Sequence, residues 1–104
     1  NLVTYAGDAA ITLVSQVALL TKGSAAAMTV AAPGAAGVGA RLTIVSGSNF
    51  AHVITFTGGT RGDGTTGLNT TVTMTAFIGS SITVIGNTAT QWVTECSINL
   101  TSIA

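Results

Sequence analysis

The sequence predicts an all-β protein, namely a small antiparallel β-sandwich or barrel of about eight short strands with two long glycine-rich loops. Apolar and hydroxyl side chains alternate with a period of two, the period at which side chains reach opposite faces of a strand. Thr, Val and Ile, whose branching at Cβ favours pleated backbone, supply 37 of the 104 residues. Short strands at close spacing are typical of sandwiches and barrels, and this length builds one domain, residues 1–104.

The strands are predicted in chain order from apolar runs and from alternation. We expect them at 2–5, 11–14, 17–21, 28–31, 41–46, 52–57, 71–77, 81–84, 92–98 and 98–103, of which the first is a strand or an arm. In 71–77, Val72 and Met74 share one face and threonines the other. In 92–98 the same pattern places Trp92, Cys96 and Ile98 on one face. We therefore expect Trp92 to anchor the core and Cys96 to pack as a small apolar residue.

The two glycine-rich loops are predicted at 32–40 and 58–69. The second matches G-x-G-x-x-G at positions 62–67, but a dinucleotide site needs a helix after this motif, and a threonine-rich strand follows instead. Arg61-Gly62-Asp63 spells an integrin-binding tripeptide, a match that a glycine-rich loop produces easily by chance. We interpret this segment as an exposed hairpin loop and leave open whether it binds anything.

Charge is scarce, because the chain has three basic and three acidic residues where an ordinary soluble domain of this length has about 26. The six are Asp8, Lys22, Arg41, Arg61, Asp63 and Glu95. Three scattered basic residues do not form a nucleic-acid or anionic-membrane surface, and no run is apolar enough to span a bilayer. A lone cysteine forms no disulfide within the chain and no multi-cysteine zinc site. We expect no nucleic-acid or membrane partner, no metal and no cofactor.

Catalysis is not predicted. A nucleophile activated by His52 would need an acid to orient the ring, and the three acids are scattered along the chain. The same scatter gives no pair of carboxylates for glycoside hydrolysis. We interpret His52 as a hydrogen-bonded structural residue and predict that the protein is not an enzyme.

The charge deficit predicts that much of the surface is covered by partners. Domains that remain free in solution normally carry a densely charged surface, whereas obligate interfaces are poor in charge. We expect an N-terminal arm over residues 1–6, in which Leu2, Val3, Thr4 and Tyr5 add to a neighbour's sheet edge or lie on a shell.

The chain resembles a known protein family in three segments: VALLTKGSAAAMTVAAP (17–33), GARLTIVSGSNFAHVITFTGG (39–59) and TTVTMTAFIGSSITVIGNTATQWVTE (70–95). This order of strands and turns resembles small β-rich virion proteins of tailed bacteriophages, the head decoration or cement proteins and related fibre domains. The resemblance implies a homotrimer on the capsid exterior, assembled in the bacterial host cytoplasm, that clamps neighbouring copies of the major capsid protein. The alternative is a phage fibre, tail or host-attachment module that binds glycans, for which we expect an exposed Trp92 or Tyr5.

Overall fold

A computed structural model describes residues 1–13, 16–61 and 68–104. Its strands, in chain order, are β1 Leu2–Tyr5, β2 Ala10–Ile11, β3 Val17–Leu20, β4 Ala27–Val30, β5 Arg41–Ser46, β6 Val53–Arg61, β7 Asn69–Met74, β8 Ser81–Gly86, β9 Trp92–Ile98 and β10 Leu100–Ile103. A short 3-10 turn, Ala35–Gly37, lies between β4 and β5. The predicted all-β class is confirmed.

The strands form one curled sheet whose order is β1-β3-β5-β8-β9-β6-β4-β2, with β7 paired to β6 and β10 paired to β7. We divide the sheet into two halves. The first arm of the sheet is β1, β3, β5, β8 and β9, and the second arm is β2, β4, β6, β7 and β10; neither name refers to the N-terminal arm predicted for residues 1–6. The arms join where β6 and β9 run in parallel, with Thr60 opposite Trp92 and Arg61 opposite Val93.

The first six strands form three stacked turns. In each turn the chain runs through one strand of the first arm and then one strand of the second: β1 and β2, then β3 and β4, then β5 and β6. Within the first arm, Val17 pairs in parallel with both Leu2 and Thr43, and β2, β4 and β6 are likewise parallel. The later pairs β5–β8, β8–β9, β6–β7 and β7–β10 are antiparallel. The predicted wholly antiparallel sheet is therefore wrong. Alternation shows which face a side chain occupies, and it carries no information about the direction of the neighbouring strand.

The arms bury one face each against a common apolar core. Its members are Ile11, Ala18, Leu20, Ala26, Met28, Val30, Leu42, Ile44, Ile54, Phe56, Val72, Met74, Ile82, Val84 and Trp92. The predicted burial of Val72, Met74 and Trp92 is confirmed, since each side chain is fully buried. Complete burial of side chains of this size contributes about 1.5–3 kcal/mol each, so these strands supply much of the driving force for folding.

The predicted burial of Cys96 and Ile98 is wrong, because Cys96 is exposed and Ile98 is 53% exposed. The cause is a bulge in the β8–β9 ladder. Thr83 lies opposite Cys96 while Val84 lies opposite Thr94, so Glu95 is an extra residue. One inserted residue exchanges the two faces of a strand, and the alternation that begins at Trp92 is therefore lost beyond Glu95.

Both ends of the second predicted loop, 58–69, lie in strands, because β6 continues to Arg61 and β7 begins at Asn69. Gly58 and Gly59 both have φ of +81°, in the left-handed region that favours glycine, and they lie where the β6–β7 register shifts. Positions 62–67, which include the G-x-G-x-x-G match and two residues of the integrin-type tripeptide, lie outside the described residues. The first predicted loop contains the 3-10 turn and connects β4 to β5.

Candidate functional site

Four connections between strands lie at one end of the stacked turns, which we call the loop end. They are residues 6–9, 21–26, 47–52 and 75–80. Each is bonded to the next. The Asp8 carboxylate accepts from the Lys22 ammonium at 2.8 Å and from the backbone N–H of Ala27, the first residue of β4, at 2.9 Å. The Ser48 hydroxyl donates to the carbonyl of Lys22 at 2.8 Å. The side-chain oxygen of Asn49 accepts the N–H of Ile78 at 2.9 Å. Four successive connections are thereby held in one ordered surface.

His52 lies fully buried within the loop end. Its Nδ1 accepts the backbone N–H of Ala26 at 3.0 Å, and its Nε2 lies 2.9 Å from the Ser48 hydroxyl oxygen. Because Nδ1 accepts, the neutral ring carries its proton on Nε2 and donates it to Ser48. A ring in this tautomer has no free lone pair with which to take a proton from Ser48, so the two residues are not arranged as a base and its nucleophile. The interpretation of His52 as a hydrogen-bonded residue is confirmed.

The surroundings of His52 disfavour its charged form. Burial lowers the pKa of His52 below its ordinary value, and the nearby Lys22 ammonium lowers it further. Lys22 is itself paired with Asp8, at 2.8 Å between Nζ and Oδ1. Protonation of Nδ1 also breaks the hydrogen bond from Ala26. Neutral His52 is therefore the form that holds the loop end together.

We predict that stability falls as the pH is lowered below about 6.5, the ordinary histidine pKa. The folded pKa of His52 lies below the unfolded one, so the unfolded chain takes up this proton first. The stabilisation is complete above the unfolded pKa and is lost as the pH falls through the folded one. Urea unfolding between about pH 7.5 and pH 5 measures it. In H52Q, whose amide oxygen can accept from Ala26 without titrating, this dependence should disappear; an unchanged dependence contradicts the assignment.

Charge is largely compensated on the surface that the structure describes. Besides the Lys22–Asp8 pair, Arg41 lies beside Glu95 with 2.6 Å between Nη2 and Oε2. Arg61 donates through Nε to the Gln91 side chain at 3.4 Å. The pKa of Asp8 is lowered by its hydrogen bonds to Lys22 and Ala27, which keeps it ionised. Among residues 1–13, 16–61 and 68–104, no three potential metal ligands come together.

Exposed apolar side chains collect at the loop end. Phe50 is 39% exposed, Phe77 58%, Ile78 64% and Ile98 53%. We call these four residues the apolar tip. The Asn49–Ile78 hydrogen bond joins the connections that carry the first three, and Ile98 lies opposite Ser81 at the start of β8. The apolar tip was not predicted from the sequence, although Phe77 and Ile78 directly precede Gly79, a turn residue with φ of +98°.

A cleft of about 370 Å³ lies at the opposite end, between β2, β4 and the side of β6. It is lined mainly by apolar groups, including Ile11, Leu13 and Val30, and by the hydroxyl-bearing Thr57. Trp92 also borders it, but its ring is fully buried and its Nε1–H donates to the Ala31 carbonyl at 3.0 Å. Trp92 is thus not the exposed aromatic platform expected for a glycan-binding module.

The predicted interface residues Leu2, Val3, Thr4 and Tyr5 form β1, which is paired in parallel with β3 along an edge of the chain's own sheet. Leu2 and Thr4 are exposed, and Val3 and Tyr5 are half-buried. The carbonyl of Tyr5 accepts the N–H of Thr21 at 2.9 Å, toward the β3 side. Since backbone groups alternate in direction along a parallel strand, those of Leu2 and Thr4 point away from β3. No other described strand pairs with that outer edge.

Comparison with protein-family models, with curated proteins and with solved structures gave no match. The described part of the chain contains no helix with the length and apolar character needed to cross a bilayer. Three surfaces of the chain itself therefore bear on its function: the apolar tip, the cleft and the outer edge of β1.

Proposed function

We propose that the protein is a structural virion protein, a small sandwich- or barrel-like module that decorates the exterior of a bacteriophage capsid. It binds as an oligomer across neighbouring subunits of the major capsid protein and stabilises the shell. The observation that carries this proposal is the apolar tip, which lies on a surface whose described charges are largely paired. Exposed apolar patches on a charge-poor surface are typical of protein–protein interfaces.

Burial of the apolar tip supplies the mechanism. Phe77 and Ile78 are each more than half exposed, and their contact with an uncharged surface would remove apolar area from water at about 25 cal/mol per Å². Many copies on one shell add avidity to a modest single contact, so an individual interface near the standard size of about 1,600 Å² is sufficient. The homotrimer implied by the family resemblance is part of the same proposal.

Co-sedimentation with capsids of the phage that encodes the chain tests the proposal. The wild-type protein should sediment with the capsids, and the double variant F77S/I78S should lose at least tenfold in affinity. The matched control is V38S, which removes another exposed apolar side chain, 52% exposed, from the connection between β4 and β5. Capsids that leave the wild-type protein in the supernatant would overturn the proposal, and equal binding of F77S/I78S would overturn the role of the apolar tip.

The second candidate is a phage fibre, tail or host-attachment module that binds glycans. The cleft between β2 and β4 favours it, because a concave site of about 370 Å³ with threonine hydroxyls at its border is large enough for a sugar ring. The buried ring of Trp92 opposes it. Titration with a panel of host-surface glycans, followed by shifts in the backbone NMR signals of Thr29 and Thr57, discriminates between the two functions. Binding at the cleft without capsid binding would favour the second.

A further inference from the structure

The two arms of the sheet turn different surfaces outward. In the second arm the outward positions of β2, β4 and β7 hold only alanine and threonine, and those of β6 as far as Thr57 hold one valine and two threonines. The first arm holds six large aliphatic side chains at its outward positions, which we call the aliphatic face: Leu2, Val17, Leu19, Val45, Ile85 and Val93. The register places these residues on one face, since cross-strand partners point the same way.

The aliphatic face is open within the described part of the chain. Leu2 is 60% exposed, and the other five side chains are half-buried. Ile98 of the apolar tip, 53% exposed, continues the face at the loop end. The threonine-covered surface shows that the fold does not need aliphatic side chains at outward positions. Such side chains stabilise a protein where something removes them from water, so the aliphatic face is suited to a contact.

Polar groups on the aliphatic face are paired with one another. The hydroxyl oxygens of Thr43 and Thr83 lie 3.0 Å apart. The strands of the first arm contain two charged residues, Arg41 and Glu95, which form an ion pair, and Arg41 begins β5 at the end away from the loop end. A partner that covered this face with charges of its own would leave those charges without counter-ions. The partner that fits is uncharged and aliphatic over the same area, as the corresponding face of a second copy is.

The curvature of the aliphatic face favours three copies over two. The sheet curls around the common core, so its outward surface is convex, with β5 along the crest and the pairs β1–β3 and β8–β9 as two flanks. Two convex faces placed against each other touch only along their crests. Around a three-fold axis, each copy meets two neighbours, one with each flank. Both flanks carry aliphatic side chains, Val17 and Leu19 on the first and Ile85 and Val93 on the second.

We propose that three copies of the chain associate through the aliphatic face, about an axis that runs along the strands of the first arm. The flank β1–β3 of one copy contacts the flank β8–β9 of the next, and such unlike contacts close into a ring when the rotation is complete. An axis in this direction points all three loop ends the same way, so the three apolar tips lie side by side. The inference rests on the proposed function and deepens it, because it names the surface that forms the oligomer and leaves the apolar tips for the capsid.

The area of the aliphatic face is sufficient for a stable trimer. The first arm is five strands wide, and β5 and β8 are each six residues long. Strand spacing and rise per residue then give a face of about 24 × 20 Å. Removal of one copy from a closed trimer exposes its own face and one flank of each neighbour, about 1,000 Å² in total, which reaches the lower limit for a specific interface.

Sedimentation equilibrium of the full chain from micromolar to millimolar concentration tests the inference. V17K places a charge on the flank β1–β3, and the matched control T55K places the same charge on the threonine-covered surface of β6. We expect the wild-type protein to be a trimer in the upper part of this range. V17K should weaken trimer formation at least tenfold, and T55K should leave it unchanged. A wild-type monomer throughout, a wild-type dimer, or equal effects of the two variants overturns the inference.

The thiol of Cys96 provides a second measurement that needs no variant. Cys96 is exposed in the single chain and lies on the flank β8–β9, opposite Thr83. Its rate of alkylation by iodoacetamide is measured in the wild-type protein at concentrations below and above trimer formation. We expect the rate to fall at least tenfold in the trimer, because the flank of a neighbour covers the thiol. Equal rates would mean that the copies meet through another surface, and would overturn the inference.

Capsid co-sedimentation of the same proteins keeps the two proposals apart. A wild-type monomer that binds capsids removes the contact through the aliphatic face and leaves capsid attachment through the apolar tip. A wild-type trimer that protects Cys96 but stays in the supernatant removes the capsid function and leaves the trimer.

Discussion

The variant G86A should lower the free energy of unfolding by about 3 kcal/mol, a large effect for one added methyl group. Gly86 ends β8 directly against the connection between β4 and β5. A Cβ atom there would overlap the carbonyl oxygen of Gly37 and would lie 3.1 Å from the Cβ of Pro33. Neither neighbour is a flexible side-chain end. Two backbone hydrogen bonds, from Gly39 to Gly86 at 2.8 Å and from Gly86 to Ala40 at 2.9 Å, prevent the segments from separating cheaply.

Urea unfolding of G86A followed by circular dichroism measures this effect, and G23A is the matched control. A Cβ at Gly23 would meet nothing within 4 Å, and its φ lies outside the left-handed region. We expect G23A to remain within about 0.5 kcal/mol of the wild-type protein. If both variants unfold at the same urea concentration as the wild-type protein, the close approach of β8 to the 32–40 connection does not exist in solution.

The second large effect is expected for W92A, which should cost about 3–5 kcal/mol. Trp92 is the largest fully buried side chain, and it lies where β9 meets β6 and joins the two arms. Its removal leaves a cavity beside the existing cleft and deprives the Ala31 carbonyl of its indole donor. W92F should cost less, because the phenyl ring fills most of the space and only the hydrogen bond is lost.

Denaturation of W92A is followed by far-ultraviolet circular dichroism, since the variant lacks the tryptophan fluorophore. The control is F77A, which truncates an aromatic side chain that is 58% exposed. This variant should change stability by less than about 1 kcal/mol. A W92A protein as stable as F77A would mean that the arms are not joined through this residue.

The sequence predicted the strands well where alternation is strict. Ile82 and Val84 are buried in β8 as Val72 and Met74 are in β7, because a period of two fixes the face of every residue in a regular strand. The prediction failed in β9 beyond Glu95, where one extra residue reverses the faces. A bulge is set by the partner strand, and nothing in the alternation of β9 itself indicates it.

The three stacked turns formed by β1 to β6 could not be predicted from the sequence, because the turns differ in length. Leu2 pairs with Val17, 15 positions later, whereas Val17 pairs with Thr43, 26 positions later. Repeat architectures are recognised by a constant period, and these turns have none. The structural role of His52 could be predicted, since no acid stands near it in the chain. Its partner Ala26 could not, because it meets His52 only when two connections are stacked. Ser48 lies in the same connection as His52, but the fold of that connection, and so their contact, could not be read from the sequence.

The distance along the chain between paired strands affects how fast the protein folds. Among the ladders of the described residues, only the hairpins β8–β9, with Gly86 opposite Trp92, and β6–β7, with Thr60 opposite Asn69, join segments close in the chain. The other described ladders join segments that are distant in the chain, and the β6–β9 contact forms only after Trp92 and Val93 have been synthesised. Proteins dominated by such distant pairings fold in about milliseconds to seconds. Because synthesis follows chain order, β1 and β2 leave the ribosome before their partner strands β3 and β4. A polypeptide shortened to end before Trp92 should therefore not reach the native state.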